Sequence, residues 1–463
     1  MNQIITDTLR GTKVVMETEG NEIGMYVCGP TVYDYCHLGH ARAYITFDTI
    51  RRFLIFSGYK VKYVQNFTDV DDKIINKANE TGVPPLQLSE NFIREYFDDM
   101  DRLNIMRADV HPKVSEHIED IISFIEDIIE KGYAYESDGD VYFEVKKLKT
   151  YGKLSKQNME SIIAGARIDP SEKKRNPEDF ALWKSAKPGE IYWDSPWGKG
   201  RPGWHIECSV MSTKYLGNSF TIHGGGMDLI FPHHENEIAQ AEARNGTGTF
   251  AKYWIHNGFV TIRKEKMSKS LKNFTTLRDF YKKYEPMVLR FYFLQTHYRN
   301  PIDFDLAPIE EASENYRKIM DTLGKLEQCN GEGIDISTDI KNLEEAFMKA
   351  MKDDFNTRLA IMAIQDIVKK ANKNMALLSK GNGLKLYHHI KKYMDVLGLI
   401  KEENDESKNN KLVFSLVNLL IDIRNDARKN KDWATADRIR DELKKMGIVL
   451  EDGKGGTKFR IDK

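Results

Sequence analysis

The chain has 463 residues, 41% of them hydrophobic and 30% charged, with a formal net charge of −1. At roughly 100–200 residues per domain this implies two to four domains, and the charge balance excludes a polycation, so any RNA surface must be a local patch. The four cysteines, Cys28, Cys36, Cys208 and Cys329, are too few for a disulfide framework.

No apolar run approaches the ~18 residues of a membrane span, and Met1–Asp7 lacks the apolar core of a secretory signal. The expectation is a cytoplasmic protein with reduced thiols. Ile23–Cys28 reads as a short buried strand, broken by Gly29 and Pro30. Leu38, Ala41, Tyr44, Ile45, Ile50, Phe53 and Leu54 then recur near helical spacing, and Gly58 ends the segment. Val61–Gln65 reads as a second strand. Strand, helix and strand in this order predict a parallel βαβ unit, whose ligands bind where strand ends meet helix starts. Cys28 and His37 fall there.

From about Glu116 to Gly200 the pattern changes. A helix through Ile118, Ile121, Ile122, Ile125 and Ile129 leads to Gly132, followed by strand-like Val141–Phe143 and Lys-rich stretches. This reads as an insertion between two halves of the sheet domain. The second half resumes near Trp204, with a strand at Ser219–His223, a turn at Gly224–Gly226 and a helix from Pro232 through Ala243, proline being well placed in a first turn. Beyond Pro308 the chain reads as helical to about Leu399, including Leu343–Ala350 and Leu359–Val368. Lys401–Lys411 is polar without apolar periodicity and reads as a linker. Leu412–Lys463 reads as a small helical unit with a Gly-rich end. The fold class is therefore α/β: a Rossmann-like parallel-sheet domain with an insertion, then a helical bundle and a small C-terminal unit. The corresponding divisions are 1–115, 116–200, 201–306, 307–400, 401–411 and 412–463.

Two short patterns carry phosphate chemistry. His37-Leu38-Gly39-His40 opens a helix after a strand, where backbone N–H groups and the helix dipole favour anions and Gly39 admits a close approach. Two ordinary surface histidines would look the same. Lys266-Met267-Ser268-Lys269-Ser270 combines two lysines and two hydroxyls without apolar periodicity. It reads as a loop that can neutralise charge on a leaving pyrophosphate, or as a solvated basic loop. Together the two patterns resemble the HIGH and KMSKS motifs of class I aminoacyl-tRNA synthetases, with Leu38 in place of Ile. The resemblance implies that His37, Gly39, His40, Lys266, Ser268 and Lys269 bind ATP, and that His37, His40, Lys266 and Lys269 stabilise the adenylation transition state. Mg²⁺ would accompany the ATP.

A second set of residues bears on the amino acid. Cys28, Cys208, His233 and Glu237 are all good ligand types for Zn²⁺, and the last two lie four apart, on one face of the expected helix. Spacing alone does not establish a site from segments this distant, and a lone Cys is commonly a small core residue. However, Met25–Asp34, Gly203–Cys208 and Phe231–Gln240 are similar to cysteinyl-tRNA synthetases, and the likeness runs through nearly the whole chain. That resemblance implies one active-site zinc per chain on Cys28, Cys208, His233 and Glu237; His234 and Glu235 match without being ligands. Cysteine and serine differ by one atom, and shape alone gives only ~1–3 kcal/mol between such near-isosteres. A thiolate binds zinc strongly where a hydroxyl does not, so no separate editing domain is expected. Thr68, Trp204 and His223 are candidates for lining the amino-acid pocket, with core packing the alternative for Trp204.

The tail completes the resemblance. Asp353–Ala360 resembles the start of the family's anticodon-binding bundle. Arg428, Trp433 and Asp437 supply stacking and edge-bonding groups of the kind that read single-stranded RNA; on composition they could equally be a solvated helix laced with ion pairs. The implied partners are tRNA(Cys), ATP and L-cysteine, with no membrane, and the family expectation is a monomer. Two rivals stay open here: a ligase joining cysteine to an amino sugar on the same fold, and a catalytically silent zinc- and RNA-binding protein.

Overall fold

The computed structural model describes residues 2–158, 173–262, 265–266, 276–401, 405–430, 432–453 and 456–461. It divides into two compact units, 1–400 and 401–463. The centre of the first is a four-stranded parallel sheet made of β3 (Glu22–Val27), β4 (Lys60–Gln65), β9 (Phe220–Gly226) and β10 (Ala251–Asn257), in the order β10-β9-β3-β4. A hairpin of β1 (Ile4–Asp7) and β2 (Thr12–Val15) precedes it. Successive strands are added on opposite sides, β4 beyond β3 and β10 beyond β9, which makes the crevice between β3 and β9 the switch point where such folds hold ligands.

Both faces of the sheet are covered, as a parallel sheet requires. Met25 and Val27 point into a core with α1 (Leu38–Phe56), while Tyr26 points into the opposite core with α4 (Ile118–Glu130) and α5 (Trp204–Leu216). Between β4 and α4 run α2 (Asp72–Thr81) and α3 (Pro85–Arg102). Helix α1 is held by charge. Buried Asp48 pairs with Arg290 of α8 (Pro286–Leu294), and Arg42 donates to the Phe293, Thr296 and His297 carbonyls. Buried charges need such full partnering.

The segment read as an insertion forms an antiparallel sheet of β5 (Ala134–Ser137), β6 (Asp140–Phe143), β7 (Phe180–Ser185) and β8 (Gly200–Pro202). It does not build a core of its own. Phe143, Phe180, Leu182 and Trp183 belong to the same buried cluster as Ile206, Cys208 and Trp254.

The helix expected from Pro232 is present, but its first turn is wider and the regular helix starts at Glu235. Met227–Leu229 is a 3₁₀ turn, Ile230–His234 is a wider turn interrupted by extended Phe231 (φ −136°, ψ 132°), and α6 runs from Glu235 to Asn245. The residue before a proline is driven out of the helical region, so Phe231 is extended and the chain turns helical at Pro232. The Phe231–Pro232 peptide is cis.

After α7 (Leu277–Tyr281) and α8 come the bundle helices α9 (Leu306–Leu326), α10 (Ser337–Lys352), α11 (Thr357–Asn374) and α12 (Lys380–Val396). The Asp353–Ala360 stretch is their tie to the sheet domain. The Asp354 carboxylate accepts from the Thr6 amide at 2.7 Å and from the Tyr298 hydroxyl at 2.7 Å. No helix among the described residues is long and apolar enough to cross a membrane.

In the second unit, α13 covers Asp405–Lys429, so most of the expected linker is helical instead. Helix α14 (Trp433–Lys445) and an antiparallel hairpin of β11 (Ile448–Gly453) and β12 (Gly456–Ile461) follow. The hairpin replaces the expected irregular Gly-rich end. Val417, Ile421, Leu443 and Ile448 form this unit's core.

Candidate active site

Cys28 directly follows β3, at the carboxyl end of the sheet. Gly29 must be glycine there, because a Cβ would lie 1.5 Å from the Asn66 carbonyl oxygen. Cys208 lies on α5, His233 in the turn before α6 and Glu237 on α6. These four buried side chains each offer a ligand atom within 4.8 Å of the others. Cys28 Sγ is 3.7 Å from Cys208 Sγ and 3.5 Å from Glu237 Oε1, which is 3.0 Å from His233 Nε2. The wider first turn thus does not separate His233 from Glu237. A second group, Cys28, His223, His234 and Glu237, is equally close-packed and shares two members with the first.

The cluster's charges are set by burial and by each other. Burial pushes the Cys28 thiol well above its ordinary range, and Cys208 and Glu237 add to the effect. Burial acts the same way on Cys208, but the Cys28 hydrogen bond and the His233 ring bring it down to about 6. Burial works against the His233 imidazolium; the Glu237 carboxylate and Cys208 outweigh it and raise His233 to about 10. Against its own burial, Glu237 is held well below the carboxylate range by His223 and His233. At neutral pH the protonated His233 therefore occupies the place of a cation between a thiolate and a carboxylate. Thiolate, imidazole and carboxylate donors around one buried point are a set that could hold a metal ion.

An outer layer orients these donors. His233 Nδ1 is 3.0 Å from His205 Nδ1, and His223 Nε2 is 2.7 Å from Glu237 Oε2, so Oε1 faces the cysteines. His234 Nδ1 is 2.8 Å from His256 Nε2, whose other nitrogen is 2.8 Å from Thr8 Oγ1. Gly225 permits this ring packing, since a Cβ would lie 2.8 Å from His234 Cε1. Such outer partners fix which nitrogen of a ligand histidine is available. Glu235 has a different task. Its carboxylate accepts from the Gly152, Leu154 and Ser155 amides at 2.9, 3.1 and 2.7 Å, so it clamps a loop and is not turned to the cluster.

Of the expected pocket residues, Trp204 is 39% exposed at the first position of α5 and stacks on His233 with centroids 4.2 Å apart. Thr68 is buried, and its hydroxyl donates to Glu207 Oε2 at 2.8 Å. His223 is fully buried on β9, stacked on Trp254 and behind Glu237 rather than on an open wall.

At the start of α1, His37 is the N-cap and not a helical residue. Its Nδ1 accepts from the Gly39 and His40 amides at 3.0 and 3.4 Å, while His40 Nδ1 accepts from the His37 amide at 3.3 Å. The two rings stack with centroids 3.8 Å apart. A neutral imidazole that accepts at Nδ1 carries its hydrogen on Nε2, so both rings are set as Nε2–H donors, suited to phosphate oxygens. The chain returns here after the second phosphate motif: Thr276 bridges His37, and the Leu277 amide donates to the Cys36 carbonyl at 2.9 Å. The Lys266 backbone pairs with Thr261 in a short strand, whereas Ser268 and Lys269 lie outside the described residues.

In the second unit Arg428 is exposed near the end of α13. Trp433 is 58% exposed at the first position of α14, and Asp437 is one turn further on, paired with Arg440 at 3.1 Å. Sequence reasoning missed His205, His256, Asn66 and Glu207. None sits in a recognisable spacing, although Glu207 adjoins Cys208.

Comparison with known proteins accords with this arrangement. Residues 14–314 match the family model of the class I (C) tRNA synthetase catalytic domain, 346–401 a DALR domain and 415–460 the cysteinyl-tRNA ligase anticodon-binding domain. In fold the chain is similar to a Mycobacterium tuberculosis methionyl-tRNA synthetase in complex with methionyl-adenylate (TM-score 0.59, 15% identity, 82% of this chain and 90% of that one). It is a class I aminoacyl-tRNA synthetase. The chain is 51% identical over 460 residues to a cysteine–tRNA ligase of Heliobacterium modesticaldum, with 96% of each chain covered, and 50% identical to one of Thermococcus onnurineus, with 94% of each covered. Within its class it belongs to the cysteine–tRNA ligase family.

Proposed function

We propose that the chain charges tRNA(Cys) with L-cysteine at the expense of ATP, and that a single zinc ion on Cys28, Cys208, His233 and Glu237 selects the amino acid. The observation that carries this reading is the convergence of those four buried donors at the switch point of a nucleotide-binding sheet. The fit to zinc is metric. Two thiolates on a tetrahedral ion with bonds of about 2.3 Å sit about 3.8 Å apart, beside the 3.7 Å between Cys28 and Cys208. When bound, the ion supplies a soft Lewis-acid contact for the substrate thiolate that a serine hydroxyl cannot use.

The chain's own residues do the rest. His37 and His40 present Nε2–H donors to the phosphates of Mg²⁺–ATP, with Gly39 allowing close backbone approach. Lys266, Ser268 and Lys269 bind the same phosphates, and the two lysines neutralise charge as pyrophosphate leaves. The cysteine carboxylate attacks the α-phosphorus, which is a matter of positioning and charge stabilisation. Thr68 and Trp204 border the amino acid, and His223 braces Glu237. The 2′-hydroxyl of the terminal tRNA adenosine then takes the acyl group.

In this reading 1–115 and 201–306 are the two halves of the catalytic domain around the segment 116–200, with the bundle at 307–400. Residues 412–463 read the anticodon through Arg428, Trp433 and Asp437, with 401–411 joining them to the bundle. The enzyme works in the cytoplasm as a monomer. The amino-sugar ligase has no use for an anticodon-binding domain, and the match over 415–460 weighs against it.

Metal analysis of the purified protein, run beside cysteine-dependent ATP–pyrophosphate exchange, tests the reading. About one zinc per chain and exchange with cysteine but not serine are expected. Undiminished exchange by metal-free protein would overturn the role of zinc.

A further inference from the structure

Glu207 is an acid in an unusual place. It lies in the first turn of α5, next to Cys208, and is 1% exposed. Among the described residues it has no cationic partner, unlike the buried Asp48, which pairs with Arg290 and Arg52. Among the described residues its side-chain hydrogen bond is to the Thr68 hydroxyl, which donates to Oε2 at 2.8 Å.

That contact decides what Thr68 can offer a ligand. A hydroxyl has one hydrogen and two lone pairs. In this geometry the hydrogen goes to Glu207 Oε2, and a carboxyl keeps an acceptor oxygen whether ionised or neutral, so Thr68 Oγ1 can only accept from other groups. The Asn66 amide approaches one side of it at 3.5 Å. Backbone bonds hold Thr68 in place, its amide to the Pro30 carbonyl and its carbonyl to the Val32 amide, both at 3.2 Å. Asn66 links the same spot to the cysteines, since its Oδ1 accepts from the Gly29 amide at 2.9 Å and lies 3.8 Å from Cys208 Sγ. A free amino acid whose side chain points at the Cys28–Cys208 pair carries its ammonium only a few bonds from its sulfur. An acceptor-only hydroxyl backed by a buried acid suits that ammonium.

We infer that Glu207 is a positioning residue for the substrate's α-ammonium group: by taking the only hydrogen of the Thr68 hydroxyl, it presents an oxygen lone pair to the amino acid. This rests on the proposed cysteine site and adds to it a source of selectivity for amino acids over other thiols.

The test compares L-cysteine with 3-mercaptopropionate, which keeps thiol and carboxylate but lacks the amine. In ATP–pyrophosphate exchange, Glu207→Met removes the acceptor at similar volume and should raise the KM for cysteine roughly tenfold or more, with kcat little changed. The inhibition constant of 3-mercaptopropionate and the metal content should stay within about twofold of the parent protein. Glu207→Gln keeps an acceptor oxygen and should restore most of the cysteine affinity. The double variant with Thr68→Val should be no worse than Thr68→Val alone, because both act through one hydroxyl. Equal weakening of cysteine and 3-mercaptopropionate, or additive losses in the double variant, would overturn the inference. Failure of 3-mercaptopropionate to compete with cysteine in the parent protein would instead strike the thiol site on which it rests.

Discussion

Cys28 Sγ and Cys208 Sγ lie 3.7 Å apart although 180 positions separate them in the chain. One follows the first strand of the sheet and the other rides the helix entering its second half. The sulfurs meet only because β3 and β9 are neighbours across the switch point.

Replacing one of the pair should therefore disable metal and selectivity together. In Cys208→Ser the hydroxyl stays protonated and binds zinc poorly. Loss of a mere outer partner costs about 10–100-fold in affinity, so loss of a ligand should cost at least about 100-fold. Mass spectrometry of the metal content and exchange assays with cysteine and serine provide the check. Full zinc occupancy in this variant would remove Cys208 from the ligand set.

Metal uptake should release protons. His233, raised to about 10, and Cys28, raised by burial, both hold a proton at pH 7.5, whereas Cys208, at about 6, has mostly lost its own. Both protons must leave for the donors to bind. Affinity should thus rise with pH, by about two orders of magnitude per unit between roughly pH 7 and 9, and more steeply below about 6, where Cys208 also protonates. Calorimetry in buffers of different ionisation enthalpy counts the protons. A pH-independent affinity would contradict this charge assignment.

Glu235→Ala should destabilise the fold and spare the metal. It strands three amide donors, buried at Gly152 and Leu154 and half-buried at Ser155, at about 1 kcal/mol each. A loss of about 3 kcal/mol in denaturant unfolding, with unchanged zinc content, is the expected result. Loss of zinc from a stably folded variant would make Glu235 a ligand after all.

Trp433→Ala should separate the two halves of the reaction. The indole is 58% exposed at a helix start, with Asp437 one turn along the same face. A stacked base contributes about 1–3 kcal/mol, so kcat/KM for tRNA should fall roughly 5–150-fold while exchange is unaffected. Parallel loss of both activities would count against RNA reading.

The sequence made the four clustered donors legible because their chemistry is rare and their neighbours distinctive. Cys28 after an apolar strand and His233 beside Glu237 stand out in any reading. Strand β3 and helix α1 were equally readable, since Met25 to Val27 are continuously apolar and Leu38 to Leu54 keep helical spacing. What eluded the sequence was set by contacts between distant segments. An acid in the first turn of a helix, such as Glu207, looks solvent-facing until Thr68 and the sheet cover it. The wider first turn ahead of α6 leaves no mark in the sequence, and the identity of Glu235 as a loop clamp depends on residues 80 or more positions earlier. The terminal hairpin was hidden because its strands lie among glycines and charges, and only the pairing of Ile448 with Ile461 gives them a partner.

The spread of the donors from position 28 to position 237 also bears on biogenesis. A ribosome delivers the first thiol long before the second, and the imidazole and carboxylate later still. During translation Cys28 is an isolated sulfhydryl, open to oxidation or to capture by any passing soft cation. Loading with the correct ion must then be a late event, concurrent with closure of the sheet. A nascent chain arrested before Glu237 emerges should retain no zinc through a chelator wash, and one arrested well beyond it should.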